Sequence, residues 1–283
     1  MQKNFLNIVL FFFLSITSAL EAEQAYCAKY EECREARWTD LKQVLFEDID
    51  LKSGEGIIEL STPERAPDGA FVPISFKTHK LKDQEDIISK IHLVIDMNPV
   101  PYSGTFKFAT DIDQIELATR IRLDAYSKVR VIAETKKGDY FMAANFVRGS
   151  GGCSAPPLGD VDEMLTNAGK MKIKVKKIEE KDGIAQAKIM ISHPQFNGLQ
   201  ANPVTTEMIP AYYIENFEVT YNDKVVMALE SDISISQNPT FRFNFPVDEG
   251  GDLKVTAKDT DGNVYSHFEK FVLQDNQLKI ASQ

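Results

Sequence analysis

Hydrophobic and polar residues change rhythm several times along this chain. An almost unbroken apolar run over residues 5–16 comes first, behind Met1-Gln2-Lys3-Asn4 and ahead of the small residues Thr17, Ser18, Ala19 and Ala22. A basic start, an apolar middle and a small-residue end form the layout of a secretory signal peptide, and the run is too short to span a bilayer as a helix. Residues 1–22 are therefore expected to be removed on export, with Ala22 as the favoured cleavage point. Over residues 23–47 the rhythm is helical, with Trp38, Leu41 and Leu45 on one face among charged neighbours.

From Gly56 the rhythm changes to period two. Strands are predicted over 57–60, 70–77, 87–96, 102–108, 115–123, 128–134 and 139–147. Leu117, Thr119, Ile121 and Leu123 alternate with Arg120 and Arg122, as a half-buried strand requires. Turn signals at Pro67-Asp68-Gly69, Asn98-Pro99, Ser103-Gly104 and Lys137-Gly138 separate the runs. Short strands at this density predict an immunoglobulin-like sandwich. A second series follows over 171–177, 184–192, 212–221, 225–230, 240–245, 253–259 and 264–273. There Phe241, Phe243 and Phe245 alternate with Arg242 and Asn244, and Asn222-Asp223 and Asp261-Gly262 read as hairpin turns. Lys170, Lys172, Lys174 and Lys176 alternate with Met171, Ile173 and Val175, which reads as the solvated face of a strand. The predicted fold is all-β: two immunoglobulin-like β-sandwich domains, the first (23–148) carrying the N-terminal helix, the second covering 169–283. A flexible Gly/Pro interdomain arm over 149–168, with one helical turn in 160–167, joins them.

That arm reads Arg148-Gly149-Ser150-Gly151-Gly152-Cys153-Ser154-Ala155-Pro156-Pro157-Leu158-Gly159. Its glycines permit backbone angles other residues avoid, and its prolines hold the far side extended. A thiol mounted there is expected to be exposed and able to swing, with Gly151 and Gly152 as its swivel. An interdomain linker that merely contains a cysteine has the same composition. An exposed thiol has little fixed field to move it from its ordinary pKa, so Cys153 reads as a handle loaded by other proteins rather than as a catalytic nucleophile.

Composition narrows the rest. The net charge of −10 is spread over interspersed acids and bases, so no basic face for nucleic acid is evident, and an acidic surface suits a basic partner such as a cytochrome. The three cysteines leave one over in an oxidising compartment. Cys27 and Cys33 are close enough in sequence to pair. Six residues of continuous helix rise about 9 Å, so pairing requires Cys27 to sit in a bend before the helix proper. His79, His92, His193 and His267 are scattered, with His92 inside an apolar run and His193 at a strand end. Asp259, Asp261 and Gly262 lack the spacing and closing glutamate of a calcium loop. There is no haem attachment motif, no Cys-x-x-Cys pair and no phosphate-cradling glycine loop. No enzyme activity, resident cofactor or metal is expected.

Several short motifs resemble a known pair of families. In the first half they are Thr62-Pro63-Glu64-Arg65-Ala66-Pro67, Val72-Pro73-Ile74, Asn98-Pro99-Val100-Pro101, Thr119-Arg120-Ile121-Arg122 and Gly151-Gly152-Cys153. In the second they are Ile191-Ser192-His193-Pro194, Met208-Ile209-Pro210-Ala211, Ile235-Ser236-Gln237-Asn238-Pro239 and Asp259-Thr260-Asp261-Gly262. Together the chain resembles a fusion of SoxY and SoxZ, similar in order to the SoxYZ-like carriers associated with quinoprotein dehydrogenases. The resemblance implies a periplasmic carrier in sulfur (thiosulfate) oxidation, not an enzyme. Cys153 would hold sulfur intermediates as a covalent adduct, and the two domains would pair within the molecule. Implied partners are periplasmic sulfur-oxidising enzymes and a c-type cytochrome or quinoprotein dehydrogenase; no nucleic acid is expected from the charge pattern, and no membrane after signal cleavage. A different reading is an accessory binding protein for such a dehydrogenase, with the cysteine incidental. Two departures stand out. The carrier family ends just after its cysteine, whereas here a whole domain follows, and His193-Pro194 continues as Gln195-Phe196-Asn197.

Overall fold

The structure is a computed structural model that describes Cys27 and residues 29–81, 86–108, 114–178, 183–247, 249–274 and 277–281. The expected signal peptide and the start of the predicted helix lie outside the described residues. The helix proper, α1, spans Glu31–Phe46. Its N-cap Tyr30 is extended (φ −113°, ψ 128°), which supplies a bend between Cys27 and Cys33. These two cysteines are joined, with their Cα atoms 4.9 Å apart, and pack on Met97 and Ala125. Farther along α1, Trp38 lies against the Arg130 guanidinium at 3.9 Å, and Arg130 is held by the buried carboxylate of Asp96 at 2.8 Å.

Eight strands follow: β1 (Leu51–Ser53), β2 (Ile58–Ser61), β3 (Val72–Thr78), β4 (Ile88–Ile95), β5 (Tyr102–Phe108), β6 (Glu116–Ile121), β7 (Ser127–Thr135) and β8 (Tyr140–Val147). The short helix α2 (Val161–Asn167) leads to eight more: β9 (Met171–Lys177), β10 (Ile184–Ile191), β11 (Ile214–Tyr221), β12 (Lys224–Ser231), β13 (Thr240–Pro246), β14 (Gly251–Asp259), β15 (Val264–Gln274) and β16 (Gln277–Ile280). Two of these were not expected from periodicity. β1 is three residues long and pairs parallel to β8, too short to show alternation, and β16 is a four-residue edge strand.

The strands form two sheets, and both run through the two halves. The ten-stranded sheet has the order β1-β8-β7-β4-β5-β12-β11-β14-β15-β16, and the six-stranded sheet the order β2-β3-β6-β13-β10-β9. Each half is a sandwich, and the halves meet edge to edge. β5 pairs antiparallel with β12, placing Phe106 opposite Leu229, while β6 and β13 pair through Leu117–Phe243 and Ala118–Arg242. One hydrophobic core spans the seam, with Phe76, Phe106 and Leu117 from the first half and Phe217, Phe241 and Phe243 from the second. Inward-facing alternation predicted from the phenylalanine runs is what fills it.

Candidate functional site

Where β8 ends, the chain does not leave the protein. It turns into a cleft at the seam, beside residues 122–124 just past β6. Gly151 N–H donates to Asp124 O at 2.8 Å and Gly152 N–H to Leu123 O at 2.9 Å, while Leu123 N–H donates to Gly69 O at 2.7 Å. Gly152 lies so close to Gly69 that a β-carbon there would sit 2.0 Å from Gly69 O. Side chains from both halves then hold the arm's carbonyls. Arg122 Nη1 donates to Gly152 O at 3.0 Å, Asn197 Nδ2 to Cys153 O at 2.7 Å and Gln200 Nε2 to Ala155 O at 2.8 Å. Gln237 closes the far end, accepting from Leu158 N–H at 3.1 Å and donating to Leu158 O at 3.0 Å.

The expectation of an exposed, swinging thiol is thereby corrected. Cys153 is 1% exposed, and its arm is clasped by buried hydrogen bonds. Glycine has two uses, freedom and close approach, and composition does not tell them apart. Gly152 serves close approach. Gly151 serves backbone angle, with φ of 73° and open space around it. The electrostatics match the burial. Desolvation pushes the Cys153 thiol up to about 12; the Asp124 carboxylate, which accepts its hydrogen bond, adds to this, and Arg122 opposes it. Arg122 is itself 1% exposed, its pKa lowered by burial and partly restored by Cys153 and Asp68, and its Nε has no partner.

The motifs picked out along the sequence converge on this cleft. Asn98 donates to Arg122 O and Ser234 Oγ, both at 2.9 Å, and its Oδ1 accepts from Asp124 N–H, so the Asn-Pro turn braces the strand end under the arm. Ser236 Oγ donates to Ala70 O at 2.7 Å across the halves. Arg122 Nη2 reaches Gln195 O at 3.3 Å. Next to Gln195, His193 is buried against Tyr212 with ring centroids 4.6 Å apart. Burial lowers its pKa to about 4, with Asp259 opposing, so the ring is neutral at neutral pH. Burial works against the Asp259 carboxylate too, but hydrogen bonds from Asn263, Tyr265 and Tyr212 outweigh it and leave its pKa lowered. His92 is satisfied between Tyr102 and Glu134, at 2.7 and 2.9 Å. Asn197, Gln200 and Asp124 carried no signal in the sequence, because amides and acids in loops are common and their work here is set by long-range contacts. Among the described residues no group of metal-binding side chains is assembled, and no helix is long and apolar enough to cross a membrane.

Residues 42–153 match the family model of the sulfur oxidation protein SoxY, and residues 171–270 that of the sulphur oxidation protein SoxZ. With two β-sandwiches clasping one cysteine-bearing segment, this is a protein of the sulfur-oxidation carrier class. The chain belongs half by half to the SoxY and SoxZ families, as a SoxY–SoxZ fusion. Among solved structures, the sulfur carrier protein SoxY from Chlorobium limicola f thiosulfatophilum aligns at 19% identity over 46% of this chain and 97% of that one, with a TM-score of 0.34. The Bacteroides ovatus protein SGBP-B of a mixed-linkage glucan utilization locus, in complex with a mixed-linkage heptasaccharide, aligns at 11% identity over 79% of this chain and 68% of that one, with a TM-score of 0.19. No curated protein matches the chain.

Proposed function

We propose that this fusion is a non-enzymatic periplasmic carrier that holds sulfur intermediates covalently on Cys153. It presents them to partner redox enzymes after the arm leaves its cleft. One observation carries the reading: the SoxY-matching stretch ends on Cys153, which is the cysteine left unpaired once Cys27 and Cys33 are joined. The clasped arrangement is then the closed form. A thiol with a pKa of about 12 is almost entirely protonated at neutral pH and does not react until it is released. Joining it to the outer sulfur of a thiosulfate-type anion gives Cys–S–S–SO3⁻ and releases one proton and two electrons. A c-type cytochrome or quinoprotein dehydrogenase is the acceptor in this reading. Arg122, buried beside the Cys153 arm with an Nε that has no hydrogen-bond partner among the described residues, supports an anionic adduct as cargo, since a negative neighbour compensates a buried guanidinium.

Burial of the thiol favours a second reading, an accessory binding protein in which Cys153 is a packed core residue. Intact mass of the exported protein, isolated without reductant, separates the two. The carrier reading expects masses above the unmodified chain that collapse on reduction and are absent from Cys153→Ser. A single unmodified mass, together with full sulfur-dependent growth of the Cys153→Ser strain, would leave the accessory reading.

A further inference from the structure

The outer face of the six-stranded sheet gathers charges that the sequence scatters. β9 pairs with β10, β10 with β13, and β13 with β6 across the seam. Read across that order, one rung runs Lys174, Lys188, Arg242, Ala118. Lys172 and Lys176 flank the rung on β9, and Arg120 flanks it on β6, where it also donates to Asn238 O at 3.1 Å. Lys172, Lys174, Lys176, Lys188 and Arg242 are all exposed, and none makes a hydrogen bond or ion pair among the described residues. Like charges directly opposite one another on neighbouring strands destabilise a sheet. A chain with net charge −10 has acids to spare for such a rung, yet three cations stand there side by side. Folding does not account for that arrangement.

The face is also built by both halves. A groove of about 410 Å³ lies along it, lined by Ala118, Thr119 and Arg120 from the first half and Lys188, Thr240 and Arg242 from the second. At about 4.8 Å between strands and 3.3 Å per residue, these cations span roughly 14 by 13 Å, with the Glu116 carboxylate at the β6 corner beside Arg242. That is too broad for one small anion, and the five unpaired cations are exposed rather than closing on a buried point. The dimensions and charge fit a carboxylate-rich patch on another protein.

We propose that this face is the docking surface for an acidic partner protein. It owes nothing to what Cys153 carries. The β9 lysines lie on a solvated strand face, as their alternation predicts, but the register that sets Lys188 and Arg242 beside them is not visible in the periodicity of one strand.

The test uses the full chain and a fluorescent oligo-glutamate peptide at low ionic strength. Binding should weaken with added salt. It should weaken at least about tenfold in Lys174→Glu/Lys188→Glu/Arg242→Glu. It should be largely kept in Lys224→Glu/Lys254→Glu/Lys270→Glu, which changes net charge equally on the other sheet. Equal loss in both variants would reduce the effect to net charge and overturn the proposal. So would tighter binding of a single-stranded oligonucleotide of matched charge. Lys188→Glu alone gives a readout on the folded protein without any ligand. It turns two repelling cross-strand pairs into attracting ones and should raise Tm by about 2–4 °C while weakening the peptide. A lowered or unchanged Tm would show that the rung is not strained and would count against the surface.

Discussion

Gly152 has no room for a side chain, because the site of its β-carbon lies 2.0 Å from the Gly69 carbonyl oxygen. Backbone cannot yield as a flexible side chain can, so Gly152→Ala should expel the arm rather than be absorbed. The thiol then reports the change. In the clasped state burial holds it near 12, against about 9 for an ordinary thiol. Below pH 9 both states keep the proton, and clasping is independent of pH. Between 9 and 12 the released arm sheds a proton that the clasped arm keeps, so clasping weakens about tenfold per pH unit. Alkylation of the wild type should therefore keep climbing through pH 9 to 10. In Gly152→Ala it should level off near 9 and run up to about a thousandfold faster at pH 8, since three pKa units separate the two thiols by about that factor in thiolate. Equal, slow rates with the same pH profile would mean that the substitution leaves the arm in place. Cys153 was legible in the sequence as the odd cysteine at a motif's end. Its burial was not, because the contacts that clasp it come from Gly69, Arg122, Asn197 and Gln200, far away in the chain.

At the scale of elements, period-two alternation located fourteen of the sixteen described strands within a few residues and failed for the short edges β1 and β16. What alternation leaves out is who pairs with whom, and the basic face and the cleft both follow from pairing. The end of β14 shows how elements meet at the cleft. Asp259 there faces His193 past the end of β10, with Tyr265 of β15 donating to the same carboxylate at 2.9 Å. His193 Nε2 lies 3.8 Å from Asp259 Oδ2, beyond a hydrogen bond, and has no hydrogen-bond partner among the described residues. Its depressed pKa means the unfolded chain takes up a proton near pH 6.5 that the folded chain refuses until about 4. Stability from this residue is thus full above 6.5 and lost as pH falls toward 4, amounting to about 2 kcal/mol at pH 5. Urea unfolding at pH 7 and pH 5 should show that difference in the wild type, and His193→Asn, which does not titrate, should show a correspondingly smaller one. A pH dependence unchanged by the substitution would assign the acid sensitivity to other groups.

The whole molecule is less divisible than its two family matches imply. Composition and spacing marked two sandwiches correctly, but nothing in either half announces that its sheets continue into the other. Phe106 and Phe243 are fully buried at the seam, Leu117 and Leu229 nearly so, and separating the halves would expose them together with the ladder edges of β5, β6, β12 and β13. The covalent connection then matters less than the interface. α2 buries none of its residues, so a protease site inserted within it should be tolerated. After cleavage the two pieces should still elute as one species and unfold in one transition, because each piece alone has an unpaired hydrophobic edge. The seam itself can be weakened at Gly104, whose φ is +146° and whose β-carbon would lie 2.5 Å from Glu230 O on β12. Gly104→Val in the cleaved chain should let the pieces separate in size-exclusion chromatography at micromolar concentration, whereas uncut Gly104→Val should stay whole with a lowered Tm. Pieces of the otherwise unaltered chain that separate on cleavage alone would show that the shared sheets contribute little, and that the connecting segment, not the strand pairing, keeps the SoxY-like and SoxZ-like halves together.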